Sequence, residues 1–219
     1  MVYIVDRQTV IPSKQDEYEK IVVEKLVPEM EQLGAPCYGS FRAWRSNQYW
    51  NFWEIDGGME KFIDIDAAYE TGSLKGLQSD IRGLLTNYDS RALKPAKFSR
   101  SIAKLKEMGI KGGLYAYTNT PVDPARQIEW LKLFENIGLK LEGGTGLHTV
   151  GYFTGGIGTV MAKEFQFISQ LVCVEDWSMR DTYGKAIASN PEVQRWWDIA
   201  FNYRGHHSAT ELIPLYLPY

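Results

Sequence analysis

The chain has 219 residues, of which 44% are apolar and 23% charged, and its 24 basic and 27 acidic residues leave a net charge of −3. That balance lacks the basic stripe of a nucleic-acid binder. No apolar run approaches the roughly 20 residues that span a bilayer, and the N-terminal Met1 to Arg7 lacks the basic start and long apolar stretch of a secretory signal.

In chain order, Tyr3 to Val10 reads as a strand ended by Pro12. Lys14 to Leu33 reads as a helix with Tyr18, Val22, Leu26, Met30 and Leu33 on one stripe, and Pro28 predicts a kink inside it. Cys37 to Trp44 and Gln48 to Ile55 form a predicted hairpin across Arg45-Ser-Asn47. Asp56 is placed to cap a helix from about Gly58 to Tyr69. A further helix follows from about Leu74 to Tyr88, then a closing strand from Ser90 to Phe98. Ser99 to Lys111 reads as a short amphipathic linker helix. A second series repeats the order: strand Gly113 to Asn119, helix Ala125 to Leu141 with Ile128, Leu131, Phe134 and Ile137 on one stripe, and a hairpin of Leu147 to Thr154 with Phe165 to Val174. Asp176 is placed to cap a helix to about Ala188. Asn190-Pro191-Glu192 opens a helix to about Tyr203, with Asn as cap and Pro in the first turn. Thr210 to Leu215 closes the series. The two cysteines, Cys37 and Cys173, stand outside any Cys-x-x-Cys pair, which removes zinc and thioredoxin motifs and fits a reduced, cytoplasmic setting.

The repetition is visible in the residues themselves. Asp56-Gly-Gly-Met59 and Asp176-Trp-Ser-Met179 lie 120 residues apart, and Leu93-Lys-Pro95 and Leu212-Ile-Pro214 lie 119 apart. A tandem duplication follows. Each copy reads β-α-β-β-α-(α)-β, the ferredoxin-like split order. The expected fold class is α+β: tandem ferredoxin-like repeats of the dimeric α+β barrel type, their antiparallel sheets packed face to face with helices outside. The expected division is 1–98 for the first repeat, 99–111 for the linker helix and 112–219 for the second repeat.

The stretches His148-Thr-Val-Gly-Tyr-Phe-Thr-Gly-Gly-Ile-Gly158, Gln166 to Trp177, Met179-Arg-Asp-Thr-Tyr183 and Asn190 to Trp196 resemble the NIPSNAP group. That group belongs to the dimeric α+β barrel superfamily, alongside proteins of the antibiotic-biosynthesis-monooxygenase type. The match covers about fifty residues of the second repeat; the first matches only through Asp-x-x-Met and segment order. The resemblance implies the barrel fold and leaves the reaction open, because the superfamily includes cofactor-free oxygenases, haem enzymes, cyclases, isomerases and proteins without an assigned role.

Strand alternation puts His148, Val150 and Tyr152 on one face, with Tyr38 as the counterpart of His148 in the first repeat. It also groups Tyr38, Ser40, Arg42 and Trp44, and Tyr49, Asn51, Trp53 and Ile55. Polar tips among aromatic rings suit a flat ligand. In the leading reading, His148 is a base, Tyr38, Tyr152 and Asn51 orient the substrate, Arg42 steadies an enolate, and Trp44 and Trp53 wall the pocket. Each also has a plain reading: a hydrogen-bonded structural His, an Arg42–carboxylate pair, a packed sheet face. His206 and His207 follow the last helix, point to opposite faces, and supply an axial ligand only if haem is bound. Trp196-Trp197 reads as core. Gly155-Gly156-Ile-Gly158 sits in a hairpin, so it is a pocket lip rather than a dinucleotide fingerprint.

The expected function is a small-molecule enzyme of cofactor-independent oxygenase or cyclase type, using no cofactor and no metal, on a hydrophobic aromatic or polyketide-like substrate. The alternatives are a haem-binding α+β barrel enzyme and a non-catalytic NIPSNAP-like binding protein. The expected partner is a small hydrophobic molecule, with neither nucleic acid nor membrane, and with room for a homodimer.

Overall fold

The computed structural model of the chain describes residues 1–143, 146–156, 166–174, 185 and 188–219. The chain divides into two compact units, Met1–Lys94 with Ile213–Pro218, and Pro95–Leu212 with Tyr219. The duplication shows in their strand order.

In the first unit the strands are β1 (Val2–Val10), β2 (Cys37–Ala43), β3 (Gln48–Ile55) and β4 (Leu85–Pro95). They pair antiparallel in the order β4-β1-β3-β2. The helices are α1 (Gln15–Ile21), α2 (Val27–Gln32), α3 (Gly58–Glu70) and α4 (Leu74–Arg82). Between α1 and α2 the turn Val22–Leu26 widens to π geometry. Pro28 sits in the first turn of α2, just after it, so its missing N–H is absorbed where the helix changes phase. The expected kink is thus a π turn. Tyr18, Val22, Leu26 and Met30 are all buried against the sheet, as their spacing requires. Helix α3 begins where expected, but its cap is Gly57 in the left-handed region (φ 109°), and no side chain caps it. Helix α4 stops at Arg82 against Gly83, and the closing strand begins at Leu85, earlier than Ser90.

In the second unit, α5 (Ile102–Met108) is capped by the Ser101 hydroxyl, which accepts from the Lys104 amide at 3.3 Å. Ile102 and Leu105 are buried. The strands are β5 (Leu114–Val122), β6 (Leu147–Gly156), β7 (Gln166–Val174) and β8 (Ser208–Tyr216). They repeat the same order, β8-β5-β7-β6. Helix α6 (Gln127–Leu133) runs through a second π turn, Phe134–Gly138, into α7 (Leu139–Gly143). The buried residues here are Trp130, Phe134 and Gly138; Ile128 and Ile137 of the expected stripe are exposed. The inward residues follow one another at four-residue steps through the π turn, whereas the expected stripe steps by three. Helix α8 (Pro191–Ala200) is capped as expected by Asn190, whose side chain accepts from the Glu192 amide at 2.9 Å. The Asp176 cap and its helix, and the loop beyond Gly156, lie outside the described residues. Among the described residues no helix is long and apolar enough to cross a membrane.

The two units match turn for turn. Asp6 stands opposite Asn51 in the β1–β3 ladder, and Thr118 opposite Gln170 in β5–β7. The hairpins carry the same irregularity, a register shift between Cys37 and Gly39 and another between Thr149 and Gly151. Two residues beyond each glycine comes a phenylalanine whose ring lies under it. A Cβ on Gly39 would meet the Phe41 ring at 2.6 Å, and one on Gly151 the Phe153 ring at 2.4 Å.

Candidate functional site

Those bulges decide which side chains share a face. A bulge admits one extra residue and reverses the alternation beyond it. In the first unit Cys37, Ser40 and Arg42 pair with Trp53, Asn51 and Tyr49 on the helix-covered face. Tyr38 departs from them and packs edge-on against Tyr3 at 4.9 Å. In the second unit Leu147 and Thr149 share a face with Tyr152, while His148, opposite Cys173, is on the other. Tyr38 therefore corresponds to Val150 rather than His148, and the expected His148–Tyr152 pairing on one face is corrected.

The other residues expected in the site are committed to packing in the first unit. Trp53 is fully buried and donates its indole N–H to Asp6 at 2.7 Å. Asn51 donates to the Tyr18 hydroxyl at 2.9 Å and accepts from Ser40 at 2.7 Å, while Tyr18 donates to Gln8. Tyr88 completes the cluster by donating to Asp6 at 3.1 Å. Burial lifts the Asp6 carboxyl above its usual range, against the hydrogen bonds from Ser90, Trp53 and Tyr88 that favour its charged form. Arg42 pairs with Glu19 at 3.3 Å. Trp44 lies past the end of β2, 37% exposed, with the Arg45 guanidinium 5.4 Å from its ring.

The second unit holds a cavity of about 350 Å³ between its sheet and helices. Ala116, Thr118 and Thr120 of β5, with Gln170 and Val172 of β7, form its floor, and Trp130, Phe134, Gly138 and Trp196 its roof. Tyr152 forms one wall and is held from several sides. Its hydroxyl accepts the Trp130 indole N–H at 2.7 Å, and its ring stacks on Phe134 at 4.4 Å. Its backbone N–H donates to Ser99 Oγ at 2.7 Å. Trp130 and Trp196 stack at 5.4 Å, so α6 and α8 meet through their rings. The Trp pair is thus a cavity wall as well as core. Sequence reading missed Gly138, Ala116 and Val172; the signal was small residues where the first unit has Leu26, Ile4 and Trp53.

Arg204 and His207 close one end. After α8 the chain returns to the sheet: Arg204 forms an isolated antiparallel bridge with Val122, and the Gly205 N–H donates to the Pro121 carbonyl at 2.9 Å. The Arg204 guanidinium lies among the rings of Trp130, Trp197 and Phe201, at 5.5, 5.4 and 5.3 Å. Desolvation there pulls its pKa down. His207 Nδ1 is 3.4 Å from Arg204 Nη1. Desolvation first, then the charges of Arg204 and His206, hold the imidazole below its ordinary value, hence neutral at pH 7. A guanidinium only donates, so it favours the tautomer with the proton on Nε2. His206 packs instead on Phe201 at 5.0 Å and is not part of the lining. Among the described residues no group of His, Cys, Asp and Glu is arranged to hold a metal ion.

No family model and no curated protein matches the sequence. Solved structures do match in fold. A protein from Lactobacillus acidophilus with a provisional monooxygenase name superposes with a TM-score of 0.64 at 10% identity, over 98% of this chain and 94% of its own. An anthrone oxidase-like protein gives 0.62 at 13% identity, over 98% and 91%. A protein provisionally named a chlorite dismutase gives 0.51 at 8%, over 97% and 94%. The fold shared with these structures is α+β, built of ferredoxin-like units. Each superposition runs over nearly the whole chain, so the likeness takes in both ferredoxin-like units. Identities this low establish architecture and leave chemistry to the site.

Proposed function

We propose that the chain is a monooxygenase-like enzyme whose substrate is a flat, hydrophobic ring compound bound in the second unit's cavity. The observation that carries this is the cavity itself: about 350 Å³, walled by Trp130, Phe134, Tyr152 and Trp196, with Arg204 and His207 at one end. That volume lies within the range of small-molecule sites, and aromatic walls with few polar groups are their usual texture. The monooxygenase and anthrone oxidase-like names of the fold neighbours point the same way.

The chemistry this site supports is cofactor-independent. An electron-rich enol or phenol that gives up its proton to solvent water becomes an anion able to give electrons to dioxygen or to close a ring. His207, neutral and with Nε2–H as donor, stabilises the oxygen on which that charge develops. Tyr152 and Gln170 orient the ring. His148, assigned the base from sequence, is on the opposite face of β6 and takes no part in this cavity.

The haem alternative fits less well. An axial ligand must project into an apolar slot, whereas His207 stands at an exposed rim with Nδ1 turned to a guanidinium, and His206 is outside the lining. Titration with haem is expected to give no Soret band. The direct test is oxygen uptake by a chelator-treated preparation with electron-rich phenols and anthrone-type substrates. Loss of uptake in His207→Ala, with uptake kept in His148→Ala, supports the proposal; the reverse pattern overturns it.

A further inference from the structure

Resting on the reading of this cavity as an aromatic site, we infer that its ligand carries a carboxylate, or an equivalent planar anion, received by Arg204. The guanidinium is half-buried at the cavity's end, yet no described carboxylate forms an ion pair with it. Its Nη1 is engaged by the Gly205 carbonyl at 3.1 Å and approaches His207 Nδ1 at 3.4 Å. Its Nε and Nη2 make no hydrogen bond to the described residues. Those two groups form the side of the guanidinium fork that grips a carboxylate with two parallel bonds. The aromatic rings around Arg204 hold it flat, so little side-chain freedom is lost on binding.

The cavity is also polarised. Arg204 is bridged to Val122, at one end of β5. Glu211, the acidic residue in the lining, is opposite Ala116. Six residues of strand separate the two attachment points, about 20 Å of backbone. An anionic head is therefore drawn to the Arg204 end, leaving the ring system against Trp130, Phe134 and Trp196.

The test compares 2-naphthoate with 2-naphthamide, near-isosteric and differing in charge, by quenching of tryptophan fluorescence. Wild-type protein is expected to prefer naphthoate by about 10- to 100-fold, the value of hydrogen bonds to a charged group. Arg204→Gln is expected to erase the preference, so that the two compounds bind alike. Arg204→Lys, which keeps the charge without the fork, is expected to keep only part of it. Equal binding of both compounds by wild-type protein overturns the inference and leaves the aromatic cavity standing. A preference that survives in both variants overturns it too. Binding of neither compound removes the inference together with the reading beneath it.

Discussion

The two units are the same fold with opposite interiors. In the first, the space between helices and sheet is occupied by Trp53, Leu26 and Ile4. The ladders and π turns place Val172, Gly138 and Ala116 at the same three positions in the second, and there a cavity of about 350 Å³ remains. Three large side chains for three small ones separates a packed core from a cavity on one backbone. The polar groups follow suit. In the first unit Gln8, Tyr18, Ser40 and Asn51 bond to one another. In the second, Thr118, Thr120 and Gln170 face the cavity. Interiors packed to crystal density leave no such volume by accident.

The comparison can be broken at either side. Trp53→Ala should cost about 3–5 kcal/mol of stability, because it opens a void and strips Asp6 of a donor. Urea unfolding reads this, and a loss below about 1 kcal/mol would mean that the first core is not packed as described. Val172→Trp should do the converse, placing an indole where the first unit has one. Binding of 2-naphthoate should weaken by roughly 100-fold or more, since the ligand's volume is taken, with the fold retained by circular dichroism. Unchanged binding would place the ligand elsewhere.

Asp6 sharpens the contrast through pH. Its folded-state pKa is raised by burial above the ordinary 3.8, so the folded state holds its proton more tightly than the unfolded chain. Its contribution is fully present below the unfolded value and is lost as pH rises through the folded value. Asp6→Asn should therefore gain stability relative to wild type as thermal melts are moved upward from about pH 4. A difference that does not change with pH would contradict a buried, titrating carboxyl. Arg42→Ala should have the smallest effect, under about 1 kcal/mol, because its pairing with Glu19 is half-exposed. A larger loss would reveal a role beyond that pair.

The architecture was legible because it rests on local signals: Pro12 after the first strand, Asn190-Pro191 at a helix start, and the repeated Asp-x-x-Met and Leu-x-Pro. The site was less so. Alternation correctly placed Asn51 and Trp53 on one face, but whether such a face meets ligand or core depends on what lies across it, which no strand pattern contains. The assignments of Tyr38 and His148 failed at the bulges, since a single inserted residue reverses the parity of everything beyond it. In the second unit the inward positions Trp130, Phe134 and Gly138 step by four residues, where the expected stripe from Ile128 to Ile137 steps by three. Tyr152, expected beside His148, instead lines the cavity with Trp130 and Phe134, and His207, expected as a haem ligand, lies in the same lining.

The glycine-over-phenylalanine pairs, Gly39 with Phe41 and Gly151 with Phe153, have a further consequence. Each ring occupies the spot where any other amino acid would carry its first carbon, so these hairpins tolerate one alignment and punish a slip of one place. A slipped β6 would turn Tyr152 outward and offer His148 in its stead. The bare glycine thus acts as a locating pin for the helix-facing side of each hairpin, and the triplet Gly-any-Phe becomes a searchable tag for distant kin whose other residues have diverged beyond recognition.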